Sequence, residues 1–100
     1  MNIYTKLPTL KTQSEDFLTL LENPNLKIER IYSNFPDAGE WYNQNHDEWI
    51  LLLEGEAELE YEDYTKEKLM KGDSLLIKAN KIHRVASTSP KTLWLAIHLL

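Results

Sequence analysis

The sequence predicts an all-β domain, an antiparallel sandwich or barrel preceded by one short helix. Three observations carry that expectation. Beyond residue 25 the apolar residues fall into short runs of strand length. Tight-turn pairs such as Glu54-Gly55 and Lys71-Gly72 punctuate those runs. The chain has 100 residues, 42% of them hydrophobic and 27% charged, which is ordinary usage for one globular domain. No linker, low-complexity tract or internal repeat divides it.

Taken in order, residues 1–25 read as an N-terminal segment carrying the helix and residues 26–100 as the barrel. Ser14 is a good N-cap, and Glu15 and Asp16 suit the positive end of a helix dipole. Phe17, Leu18, Leu20 and Leu21 supply the apolar face. Asn23-Pro24 stops the helix, because the residue before proline avoids the α region. Leu26 to Tyr32 starts as an alternating strand, and Phe35-Pro36-Asp37-Ala38-Gly39 reads as a turn. Residues 46–53 and 56–62 flank Glu54-Gly55 as a hairpin. Leu75-Leu76-Ile77, Ile82 to Val85 and Leu93 to Leu99 complete the strands.

A two-residue loop at Glu54-Gly55 sets a register in which Leu52 faces Ala57, Ile50 faces Leu59 and Glu48 faces Tyr61. Directly opposed residues share a face. The interior face is then Glu48, Ile50, Leu52, Ala57, Leu59 and Tyr61. Trp49, Leu51 and Leu53 lie on the other face beside Glu56, Glu58 and Glu60. A strand apolar on both sides is covered on both sides. The N-terminal segment or a second subunit should therefore cover these residues, and a homodimer is expected.

The formal net charge of −5 argues against a nucleic-acid partner, which needs clustered Lys and Arg. Ten of the sixteen acidic residues fall within 37–63, which holds no Lys or Arg, whereas seven of the eleven basic residues follow position 63. That asymmetry predicts an acidic strand beside a basic one. The longest apolar run, Trp49 to Leu53, is too short to cross a bilayer. The first residues lack a secretory leader pattern, so a cytoplasmic protein is expected. There is no cysteine, which removes disulfides, thiolate metal sites and cysteine nucleophiles.

Glu48 is the interior carboxylate, and a buried carboxylate needs a partner or a proton. His83, His46 and His98 are the candidate partners. His46 lies two residues from Glu48 on the same strand face, with a Cα separation of roughly 6.7 Å. Gln44 would lie about 13 Å away on a straight strand and joins only if the chain turns near Asn45. Histidines and a carboxylate with open positions are a divalent-metal arrangement. No nucleophilic triad and no glycine-rich phosphate loop is present.

Glu48 with Gly55 after six intervening residues, and Gly72 with His83 eleven positions on, resemble the two cupin motifs. Trp41-Tyr42-Asn43-Gln44, Asp47-Glu48-Trp49, the run from Leu51 to Ala57, and Trp94 to His98 resemble a bacterial subgroup of cupins of about this length. The resemblance implies a cupin-type antiparallel β-barrel (a double-stranded β-helix or jelly roll). It also implies a pocket inside the barrel, lined by Glu48, Ile50, His83, Tyr61 and Trp94 or Trp41. Glu48 and His83 stand at two of the family's four metal-ligand positions, and Tyr42 and Gln44 replace histidines at the other two. Lys78, Asn80 and Ser87 replace the proline, glycine and asparagine of the second motif; asparagine tolerates left-handed backbone.

The expected function is that of a cupin holding a divalent metal (Zn, Fe, Mn or Ni), a small molecule, or both inside the barrel. It would be a metal-dependent enzyme if an open coordination position activates water or substrate. The expected ligands are Glu48 and His83, then His46, Gln44 and His98. No organic cofactor and no specific catalytic residue is indicated. The alternative is a metal-free binding or sensing module.

Overall fold

A computed structural model describes residues 1–100. Eight strands follow one another: β1 (Ser14–Asn23), β2 (Leu26–Asn34), β3 (Asp47–Glu54), β4 (Glu56–Tyr61), β5 (Lys66–Met70), β6 (Ser74–Ile77), β7 (His83–Thr88) and β8 (Thr92–Leu99). A five-stranded sheet in the order β1-β2-β8-β3-β6 faces a three-stranded sheet in the order β5-β4-β7. All pairings are antiparallel.

The expected helix is absent, and its residues form β1. Phe17 pairs with Ile31 and Leu18 with Arg30, but the register shifts between Thr19 and Leu21. That bulge moves the alternation by one residue. The apolar side chains therefore fall at 17, 18, 20 and 21, a spacing that imitates a helix face. Nor is Asn23-Pro24 a helix stop. The Asn23 side-chain oxygen accepts the Asn25 and Leu26 amides at 2.8 and 3.1 Å, folding a two-residue turn between paired Asn23 and Leu26.

The Glu54-Gly55 hairpin is likewise corrected. β3 pairs with β8 and β6, and β4 pairs with β5 and β7, so the chain at Gly55 crosses from one sheet to the other. Gly55 has φ +90°, and a Cβ there would lie 2.5 Å from Ser89 Oγ and 2.7 Å from Thr92 Oγ1. The inward faces survive this correction, because side chains alternate from Glu48 to Leu52 and from Ala57 to Leu59 whichever neighbour the strand pairs with. Ile50, Leu52, Ala57 and Leu59 meet Leu69, Ile77, Trp94 and Ala96 in the core between the sheets. Leu52 and Ala96 are wholly buried. Burying each large aliphatic chain contributes roughly 1.5–3 kcal/mol.

The outward face of the large sheet carries the row Leu18, Arg30, Leu95 and Leu51. Arg30 is buried there and donates to the carbonyls of Ile3 (3.2 Å), Thr5 (2.9 Å) and Lys6 (3.5 Å). The N-terminal segment is thus tied across this face, on which Trp49, Leu51 and Leu53 are half-buried. The acidic strand does lie between basic neighbours. In β4, Glu58 stands opposite Lys68, and Glu60 stands opposite both Lys66 and Arg84. Arg84 closes on Glu60 at 2.6 Å and lies over the Trp41 ring at 4.3 Å. The chain contains no helix long and apolar enough to cross a membrane.

Candidate functional site

The inward row of the large sheet runs from Lys27 through His98 and Glu48 to Ile77, because β8 sits between β2 and β3. The next row joins Glu29, Ala96 and Ile50, and a third joins Phe17, Ile31, Trp94 and Leu52. Three strands thus place Glu29, His98 and Glu48 side by side on one wall of a cavity of about 100 Å³. β4 and β7 supply Leu59, Val85 and His83 from the opposite sheet. Tyr42 and Gln44, from the connection between β2 and β3, complete the polar side. Of the expected lining, Glu48, Ile50, His83 and Trp94 are there. Tyr61 and Trp41 are not: Tyr61 lies on another groove and Trp41 is drawn to Arg84 on the surface.

Glu48, Glu29, His83 and His98 are each only 6–7% exposed. His98 Nε2 lies 2.8 Å from Glu29 Oε1 and 3.7 Å from Glu48 Oε2. A carboxylate only accepts, so Nε2 carries a proton and donates to Glu29. The other ring nitrogen, Nδ1, is 2.9 Å from His46 Nε2, and His46 Nδ1 is 3.4 Å from the Asn45 side chain. The hydrogen bond to Glu29, opposed by burial and aided by the Glu48 charge, raises the His98 pKa above 6.5. For Glu29, burial pushes the pKa up, but the His98 hydrogen bond and charge, with Lys27, outweigh it and hold the carboxyl below 4.5. Glu48 goes the other way: burial dominates the favourable charges of His98 and His83 and raises it.

His83 Nδ1 stands 2.7 Å from the Lys81 carbonyl. A carbonyl cannot donate, so Nδ1 carries a proton and donates to it, and Nε2 has no hydrogen-bond partner. The Tyr42 ring stacks on His83 with centroids 6.0 Å apart, and paired backbone hydrogen bonds join the two residues. The Tyr42 hydroxyl donates to Glu15 at 3.3 Å, and Ser33 donates to the other Glu15 oxygen at 3.2 Å. Burial, against these two bonds, raises the Glu15 pKa. Burial and the Glu15 charge push Tyr42 up to about 12. Asn80 has φ +65° and donates its amide to the Gln44 carbonyl at 2.6 Å, so it fills the left-handed position that its place in the motif suggests. Gln44 Oε1 is buried without a hydrogen-bond partner.

All five residues expected at a metal site are therefore close to one another, though not in one cluster. Glu48, His83, Gln44 and His98 line the cavity, whereas His46 stands behind His98, outside the wall. No group of three His, Cys, Asp or Glu side chains is arranged to hold a metal ion. Sequence reasoning missed Glu15 and Glu29. Glu15 suits a helix dipole by sequence, and Glu29 has the parity opposite to Leu26 and Ile28, which face outward.

The comparisons agree with this architecture. The cupin-domain profile matches residues 35–98, and the chain belongs to the cupin family. It is similar to a crystal structure of a proposed mannose-6-phosphate isomerase from Ralstonia eutropha, with 36% identity over 99% of this chain and 95% of that one, at TM-score 0.84. A cupin superfamily protein from Desulfitobacterium hafniense is 22% identical over 93% and 84% of the two chains, at TM-score 0.79. A cupin-2 domain protein from Shewanella frigidimarina is 14% identical over 92% and 85%, at TM-score 0.72. No protein of curated function matches the chain.

Proposed function

We propose that this cupin binds a small organic molecule with a cationic or hydrogen-bond-donating head and an apolar body. One observation carries the reading: acceptors dominate the cavity groups without a short partner. They are the Glu48 carboxylate, His83 Nε2 and Gln44 Oε1. Of the donors nearby, Tyr42 and Ser33 are committed to Glu15 and His98 to Glu29, and the Gln44 amide is directed at Glu48. Buried acceptors left unmatched are costly, so a donor guest gains what an acceptor guest cannot. Ile31, Ile50, Leu59, Val85 and Trp94 suit a carbon skeleton. Three glutamates and no Lys or Arg line the cavity, so a sugar phosphate of the kind named for the R. eutropha protein meets repulsion here.

A second reading, a divalent cation, is favoured by the orphaned Gln44 oxygen and the free His83 Nε2. Glu48, His83 and Gln44 would hold it, and the ion would supply a Lewis acid. With one imidazole and one carboxylate among the donors, this set suits a weak, oxygen-rich site better than a tight zinc or iron centre. His46 and His98 could lend a nitrogen only by breaking their own hydrogen bonds. A homodimer is proposed with either reading, on the exposed Phe17, Leu18 and Leu21 of edge strand β1. Light scattering at two concentrations tests it.

A thermal-shift panel of short alkylamines, the matching alkyl carboxylates, and Mn²⁺, Zn²⁺ and Ni²⁺ separates the readings. Amines raising Tm in the wild type but not in Glu48→Gln support the first. A rise with metal alone, reversed by chelator, supports the second. Stabilisation by carboxylates only, or by nothing in the panel, overturns both.

A further inference from the structure

The strand register sorts the inward side chains of the large sheet into rows. Glu15 shares one with Ser33, and Ile31 and Trp94 lie in the next. Glu29 and Ile50 belong to the third, His98 and Glu48 to the last. All of them line the barrel cavity. Its wall therefore carries a carboxylate at either end, Glu15 and Glu48, with apolar side chains between.

The three carboxylates are unequally served. Glu29 accepts the His98 hydrogen bond at 2.8 Å and has Lys27 3.7 Å from its other oxygen. Glu48 has the same imidazole only at 3.7 Å, and His83, the second imidazole of the lining, spends its Nδ1 proton on the Lys81 carbonyl. Glu15 accepts from Ser33 at 3.2 Å and from Tyr42 at 3.3 Å, two neutral hydroxyls. No Lys or Arg lines the cavity. Burial raises the pKa of Glu15 and of Glu48, and the Glu48 charge also acts on Glu15, so the two ends lie within electrostatic reach of each other. An ionised carboxylate held out of water without a cation is costly. Gln44 Oε1, buried without a partner, adds an unused acceptor to the same lining.

We infer, on the cationic reading above, that the guest is a short aliphatic chain with an ammonium at each end, one on Glu48 and the other on Glu15. A single ammonium offsets one carboxylate and leaves the other as it was. The apolar rows between the two suit methylene carbons, and a cavity of about 100 Å³ limits them to a few. Glu15 also holds the Tyr42 hydroxyl, but that role gives no preference for a second charge on the guest.

Calorimetric titration of the full chain at neutral pH and fixed ionic strength tests this with butylamine, aminobutanol and the terminal diamines of propane, butane and pentane. The tightest diamine should bind about ten-fold better than butylamine, and also better than aminobutanol, which has two polar ends but one charge. Glu15→Gln should bring that diamine to within about two-fold of butylamine. Diamines no tighter than aminobutanol in the wild type, or an advantage that persists in Glu15→Gln, overturn the two-headed guest while leaving a single cationic head standing. Absence of binding by every amine overturns the cationic reading and this inference together. The wild-type comparison decides the matter even where Glu15→Gln does not fold.

Discussion

His98 Nε2 donates to Glu29 Oε1 at 2.8 Å, joining β8 to β2 by a buried ion pair between residues 69 positions apart. Removing one member of such a pair leaves a charge without its partner and costs about 3 kcal/mol. His98→Ala should lose that much in urea unfolding. Adding Glu29→Gln should recover part of the loss, since the stranded carboxylate is then neutral.

The same pair fixes a pH dependence. Glu29 has a folded pKa below 4.5, so its contribution is complete above 4.5 and is lost as pH falls through the lowered value. His98 has a folded pKa above 6.5, so its contribution is complete below 6.5 and is lost as pH rises through the raised value. The stability advantage of wild type over His98→Gln should therefore be greatest between pH 4.5 and 6.5 and shrink on either side. Urea midpoints of both proteins from pH 3 to 9 check this; an advantage that keeps growing above pH 7 contradicts it.

The two turn glycines should respond unequally to one methyl group. Gly55 and Gly72 share positive φ, +90° and +91°, but a Cβ meets two hydroxyls at Gly55 and nothing within 4 Å at Gly72. Gly72→Ala should cost about 1 kcal/mol from backbone strain alone. Gly55→Ala should cost at least about 2 kcal/mol, because Ser89 and Thr92 must also move and they anchor the Glu56 amide and carbonyl. Thermal melts of the two variants measure the difference.

Leu52 is wholly buried where β3 passes Trp94, at the centre of the core. Leu52→Ala should destabilise by about 3 kcal/mol, read from the chemical denaturation midpoint. Leu53→Ala, one residue on and half-buried on the outward face, should cost less than half of that.

Much of the architecture was legible because alternation is local. Ile50, Leu52, Ala57 and Leu59 point inward whether or not β3 and β4 pair, so the interior emerged correctly from a hairpin that does not exist. Glu48 and His83 were legible as buried polar residues at motif positions. β1 was not, because its bulge at Leu20 converts an alternating pattern into a helical one. Glu15 and Glu29 were hidden for a related reason. The N-terminal segment is tied to Arg30 on the outward face of the large sheet, and Leu26 and Ile28 lie on that same face, so β2 carries apolar residues on the side away from the cavity as well as toward it. Which strand neighbours which is a long-range property that no short window contains.

The central place of β8 in its sheet governs how the protein acquires its shape. Its two flanking strands, β2 and β3, both precede it by long stretches of chain, so neither has a neighbour on that side until a wide loop closes. The site inherits this order of events: its ionic wall assembles late and all at once, and refolding should be slow, on the order of milliseconds to seconds, with the tryptophan signal of Trp94 and the burial of His98 appearing in the same kinetic phase.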